Sequence, residues 1–134
     1  MGSMTLKKPP TRPQRSLLAP EEIAAAAHRV VEVASDKQAS DIILLDVRDI
    51  ASFTDYMIIM SAGTPRQTNA VADDISTAAK ASGLAIHHRE GTANSGWLLL
   101  DFGDVIVHVF DEEQREHYRL EELWEAAKTV VRLQ

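Results

Sequence analysis

The sequence contains no cysteine. Disulfides, thiolate metal sites and thiol nucleophiles are therefore excluded, and the absence fits a reducing compartment. Aromatic residues make up only 5% of the chain, so each large ring carries a substantial share of any core or interface. Positive charge is in deficit: 14 Lys and Arg against 20 Asp and Glu give a formal net charge of -6. That balance disfavours a sequence-blind nucleic-acid binder held by phosphate contacts. It suits attraction to a basic protein surface. No apolar run reaches the ~20 residues that span a bilayer, so no membrane partner is expected. The longest runs, such as Val105–Val109, suit buried strands. No leader with an apolar central region is expected either.

What is present is an ordinary globular balance, 45% hydrophobic and 25% charged over 134 residues. This predicts one domain with a real core. Residues 1–19 read as a cloning remnant before Met4 followed by a flexible basic arm, and residues 20–134 as the single folded domain. Thr5–Ser16 carries Lys7, Lys8, Arg12, Arg15 and three prolines but no acid. Such a segment has too little apolar surface to offset chain entropy. It reads as a solubilising tail or an RNA-touching arm; its prolines argue against the amphipathic helix of a transit peptide.

Pro20, with Glu21 and Glu22 behind it, opens a helix whose inner face is Ile23, Ala26, Ala27, Val30, Val31 and Ala34. Ile42–Val47 and Tyr56–Met60 read as buried strands. Thr64 caps a second helix with Pro65 at its first position, running to about Ser82 and stopped by Gly83. Leu84–His88 reads as a short third strand and Glu90–Gly96 as a loop. Trp97–Asp101 and Val105–Phe110 form a hairpin across Phe102-Gly103-Asp104. Asp111 caps a short helix, and Leu120–Val131 reads as a closing helix with Leu123, Trp124, Ala127 and Val131 inward. The order predicts an α/β (α+β) fold, a mixed five-stranded sheet with helices packed on it.

Four stretches carry a family likeness. The first is Leu45-Asp46-Val47 followed by Ser52-Phe53-Thr54-Asp55-Tyr56, and the second is Gly63-Thr64 with Arg66-Gln67. The third is Glu90-Gly91 leading to Gly96-Trp97. The fourth is Leu100–Phe110, continued by Arg115, Tyr118, Leu120-Glu121 and Leu123-Trp124. In order and spacing they resemble the ribosome silencing factor (Iojap) family, over roughly Pro20 to Ala127. The basic arm and the tail Thr129–Gln134 match nothing in that likeness. The resemblance implies a nucleotidyltransferase-like fold used for binding rather than catalysis. It also implies a partner, the large ribosomal subunit, through the ribosomal protein numbered fourteen (L-fourteen) at the face where the subunits meet. Occupying that face would block the small subunit and repress translation under nutrient limitation. A bacterial cytoplasmic location follows more readily than an organellar one. A homodimer in the free state is a further expectation.

Strand alternation puts Trp97, Leu99 and Asp101 on one face of the hairpin and Leu98 and Leu100 on the other. If the leucines meet the helices, Trp97 and Leu99 lie on an open face, the arrangement of a binding hot spot. The alternative is a sheet buried on both faces, with Trp97 in the core. His108 shares a face with Ile106 and Phe110 and is either a hydrogen-bonded, partly buried histidine or a polar contact to the partner. Candidate partner-binding residues are therefore Trp97, Leu99, Asp101, Asp104, His108, Asp55 and Tyr56.

Catalysis has little support. Asp101-Phe102-Gly103-Asp104 contains the letters of the kinase metal motif without the glycine-rich loop, strand lysine or catalytic loop that give them meaning. Nucleotidyl transfer needs paired carboxylates around magnesium. Asp73 and Asp74 lie inside a helix on divergent positions. Gly63-Thr64 could hold an anion at a helix start, though ordinary capping explains it. His87 and His88 point to opposite faces of a strand and cannot chelate together. No catalytic residue, metal or cofactor is expected. A nucleotide- or phosphate-handling enzyme on the same fold is the alternative.

Overall fold

The computed structural model describes residues 17–134, so the basic arm Thr5–Ser16 lies outside the described residues. Helix α1 spans Pro20–Asp36, and the Glu22 carboxylate accepts from the Ala19 N–H at 2.8 Å, satisfying one of the donors a helix start leaves free. Its buried stripe includes Ile23, Ala26, Ala27, Val30, Val31 and Ala34, the face expected from spacing. Strands β1 (Ser40–Asp46) and β2 (Tyr56–Ser61) pair antiparallel. Helix α2 (Pro65–Ala81) follows, capped by Thr64 Oγ1 accepting from the Gln67 N–H at 3.0 Å. Gly83 ends it at a φ of +97°, where a side chain would be strained.

The third strand is displaced from its expected place. Residues 84–87 have no strand pairing, and β3 is His88–Thr92, which keeps only His88 of the expected strand and takes in Glu90–Thr92 from the stretch read as a loop. The cause is tertiary: β4 (Trp97–Asp101) offers an edge, and His88–Thr92 pairs with it antiparallel, Thr92 opposite Trp97. Gly91 makes this possible, for a Cβ there would stand 2.1 Å from the Trp97 carbonyl oxygen. Strand β5 (Val105–Phe110) completes the hairpin with β4 and pairs parallel with β2.

The chain end departs most. Helix α3 (Glu112–Tyr118) forms under the Asp111 cap, whose Oδ1 accepts from the Gln114 N–H at 2.7 Å. The closing helix, however, stops after one turn as α4 (Leu120–Leu123). Lys128–Leu133 is instead strand β6, paired antiparallel with β1. Thr129, Val130 and Val131 are β-branched, and the exposed edge of β1 offers a full ladder of hydrogen bonds. Leu123, expected inward, is 73% exposed. The mixed α+β architecture stands, with six strands in the order β3-β4-β5-β2-β1-β6 rather than five.

Both faces of the sheet are used, unequally. Helices α1 and α2 cover one face over a large cluster holding Ile42, Leu44, Ile58, Met60, Leu98, Leu100, Val107 and Val109. The other face carries a smaller cluster of Ile43, Leu45, Val47, Met57, Ile59 and Phe110. Trp97, Leu120, Trp124 and Ala127 pack against it from the margins. Among the described residues no helix is long and apolar enough to cross a membrane.

Candidate functional site

Alternation along β4 sends Leu98 and Leu100, both fully buried, toward the helices, and Trp97 and Leu99 to the opposite face, where each is half-buried. That face is not open along its whole width, because the chain from α3 to Ala127 folds over part of it. Trp97 sits at the boundary. Its ring stacks on Phe110 of β5 at 5.1 Å between centroids, and Tyr118, at the end of α3, lies at 4.4 Å. Its Nε1 donates to His108 Nδ1 at 3.0 Å. A tryptophan held by a hydrogen bond and two rings loses little rotamer freedom when a partner covers it.

His108 does not reach the surface. It is 5% exposed and lies beneath Trp97, so it supports the anchor rather than presenting a contact. Burial pushes its pKa from the ordinary 6.5 down to about 4. The folded protein therefore holds a neutral imidazole with Nδ1 as acceptor. Once unfolding exposes it, the ring titrates near 6.5. As pH falls below 6.5 the unfolded chain takes up a proton that the folded chain refuses until about 4. Stability is thus full above pH 6.5 and is lost through that window, with a slope of up to about 1.4 kcal/mol per pH unit from one proton. His108→Gln keeps an acceptor for the indole but cannot titrate. Urea unfolding of both proteins at pH 7, 6, 5 and 4.5 should give a shallower pH dependence for the variant; equal slopes would show that His108 is not held neutral.

Beside Trp97 runs a groove of about 360 Å³, lined by Glu90, Gly91, Ser95, Leu99, Gln114 and Tyr118 together with the indole. Its floor is strand, its far wall α3. Gly96 sets the spacing of the two, since a Cβ there would stand 2.5 Å from an Asp111 carboxylate oxygen. Glu90, Gln114 and Tyr118 were not among the candidate residues. Tyr118 stands in the family likeness, but nothing local reveals that α3 folds back over β4 and brings its ring to Trp97.

The other candidates separate from this group. Asp101 is half-buried and its Oδ1 accepts from the Gly103 N–H at 2.7 Å, which shapes the hairpin turn. Asp104 is fully buried, and its backbone carbonyl accepts from the Asp55 and Tyr56 N–H groups at 3.0 and 3.1 Å. Asp104 and Asp55 therefore tie the hairpin turn to the entrance of β2. Tyr56 is buried in the helix-side cluster, with the Arg48 guanidinium 5.4 Å from its ring centroid. Burial raises its phenol pKa. These residues stand at the turn end of the hairpin; Trp97 stands at the other end, four residues up β4, about 13 Å away at ~3.3 Å per residue.

Nothing comparable gathers at the start of α2. The Gly63 N–H donates to Gln67 Oε1 at 2.7 Å and the Gln67 N–H to Thr64 Oγ1, so the chain's own side chains take those donors. Asp74 pairs with Lys37 at 3.1 Å, while Asp73 lies 3.9 Å from Arg89. His88, at the start of β3, lies 3.3 Å from Glu90. No cluster of three or more metal-ligating side chains occurs among the described residues.

The geometry has relatives. The family model described as "Ribosomal silencing factor during starvation" matches residues 20–134, a span that includes the tail Thr129–Gln134. The ribosomal silencing factor RsfS of Bacillus subtilis is 39% identical over 111 residues, 83% of this chain and 86% of that protein. The chloroplastic protein Iojap of Zea mays is 33% identical over 109 residues, covering 81% of this chain and 47% of that longer protein. Among solved structures, a protein from Chromobacterium violaceum superimposes with a TM-score of 0.73 at 32% identity, covering 81% of this chain and 92% of the other. One from Bacillus halodurans gives a TM-score of 0.67 at 32% identity, covering 83% and 98%.

Proposed function

The chain belongs to the ribosomal silencing factor family, and from that membership we propose that it binds the large ribosomal subunit through ribosomal protein L-fourteen and blocks association with the small subunit. Its action is repression of translation under nutrient limitation, by binding and without turnover, in the cytoplasm of a bacterium. The observation that carries this reading is the pre-positioned Trp97 beside Leu99 at the margin of the second sheet face. A large ring that is half-buried, yet fixed by His108 and Phe110, supplies contact area with little ordering cost. The formal charge of -6 complements a basic ribosomal protein surface and aids encounter with it. A homodimer through the same face is compatible with this reading and would compete with the ribosome.

Sedimentation through sucrose tests it. The protein should travel with purified large subunits and not with small ones, and prior loading should reduce the joined particles formed on adding small subunits. Equal binding to both subunits, or none to either at micromolar concentration, rejects the proposal. The nucleotide-handling alternative has no comparable support, since the Gly63 and Gln67 N–H groups at the start of α2 are engaged by the chain's own side chains.

A further inference from the structure

Three features meet at the far wall of the Trp97 groove. First, α3 and α4 contain no buried residue, and the apolar packing of this strap includes Tyr118 on Trp97 and Phe110 and Leu120 at the margin of the smaller cluster. Second, the two helices join at Arg119, whose φ of 48° and ψ of 52° place a non-glycine residue in the left-handed region. A backbone conformation that disfavours L side chains persists only where the surroundings hold it. Third, one side chain ties both helices to the sheet. Arg115 of α3 donates through Nε to Glu121 Oε2 of α4 at 2.8 Å and through a terminal nitrogen to Ser61 Oγ at 2.8 Å. Ser61 is the last residue of β2 and is buried. The Arg115 side chain is only 12% exposed and that of Glu121 29%, so the pair is partly desolvated. By contrast, the neighbouring pairs of Arg119 with Glu116 and Glu122 are well exposed.

We propose that Arg115 is a positioning residue of the groove: its link between Ser61 and Glu121 holds the α3–α4 strap against the sheet, and so sets Tyr118 on the Trp97 ring. The route is short. Arg115 and Tyr118 lie three positions apart in α3, one helical turn, so a shift of the arginine carries the tyrosine with it. Tyr118 is 44% exposed and touches the anchor at 4.4 Å, so it moves without disturbing the main core. Elements held by few buried contacts open locally at low cost, and one partly buried arginine can dominate that cost. The groove then has two widths, and the latched one presents the indole already braced. The value of this bracing for ribosome binding rests on the function proposed above; the latch itself does not.

The test uses the whole chain and separates the two. Arg115→Met removes the guanidinium while keeping an apolar stem, and Glu121→Gln keeps an acceptor but removes the charge. Hydrogen exchange is measured for residues 112–123 and, as a reference, for β2 and β5. The expected result is at least tenfold faster exchange in the strap of Arg115→Met, a smaller increase in Glu121→Gln and no change in β2 and β5. Affinity for purified large subunits should fall about tenfold in Arg115→Met. Unchanged exchange in the strap overturns the latch, whatever binding does. Faster exchange everywhere also overturns it, by making Arg115 part of the general fold. A fall in affinity with unchanged exchange makes Arg115 a direct partner contact instead. If the wild type binds no large subunits, the function proposed above fails while the exchange result still decides the latch.

Discussion

Replacing Trp97 with alanine is expected to weaken large-subunit binding by ~30- to 1,000-fold, the ~2–4 kcal/mol typical of a central aromatic anchor. The fold should survive. Trp97 is half-buried, packs at the edge of the smaller cluster and contributes nothing to the helix-side core. Its removal costs about 1–3 kcal/mol, since only part of the ring leaves an apolar environment and the buried His108 Nδ1 loses its donor. A melting curve and a subunit-binding assay on the same variant separate the outcomes. Destabilisation of ~3–5 kcal/mol would mean that the ring acts as core. A stable variant with normal affinity would remove the groove from the binding surface.

The neighbouring residue should behave in the opposite way. Leu98→Ala is expected to cost about 2–5 kcal/mol of stability, the range for deleting a buried leucine and leaving a cavity. Leu98 is fully buried among residues of the sheet and of helices α1 and α2, a site that cannot collapse easily. Affinity per folded molecule should change little, because the leucine faces away from the groove. Urea unfolding combined with binding at low temperature, where the variant is folded, measures both quantities. A Leu98→Ala protein as stable as wild type would contradict the assignment of faces. A folded one that binds a hundredfold more weakly would show that the two faces are not independent.

Both expectations come from strand alternation, which was legible before any coordinates. Period-two placement of Trp97, Leu98, Leu99 and Leu100 follows from backbone geometry alone, and the structure distributes them accordingly. The inner stripe of α1, the Thr64 cap of α2, the Asp111 cap of α3 and the β4–β5 hairpin were legible for the same reason: each depends on residues within one or two turns of chain. His108 shows where such reading stops. Its face was given by alternation. Its burial depended on Trp97 of the neighbouring strand lying across it, a contact between strands.

The misread elements have one cause in common. Leu84–His88 and Leu120–Val131 have local patterns acceptable for a strand and a helix. Their outcome depended on available edges. His88–Thr92 became β3 because β4 lay beside it, and Lys128–Leu133 became β6 because β1 needed a partner. The mixed α+β class, the two long helices, the central hydrophobic strands, the two-sided hairpin and the family likeness were all readable from the residues alone. All of these rest on local spacing, capping and side-chain type. Which strands lie at the sheet edges, the placing of Tyr118 of α3 on Trp97, and the bracing of the far end of the hairpin by Asp55, Tyr56 and Asp104 came from packing between distant segments. Those outcomes are set by hydrogen-bond ladders and contacts between residues distant in sequence, and no local pattern carries them.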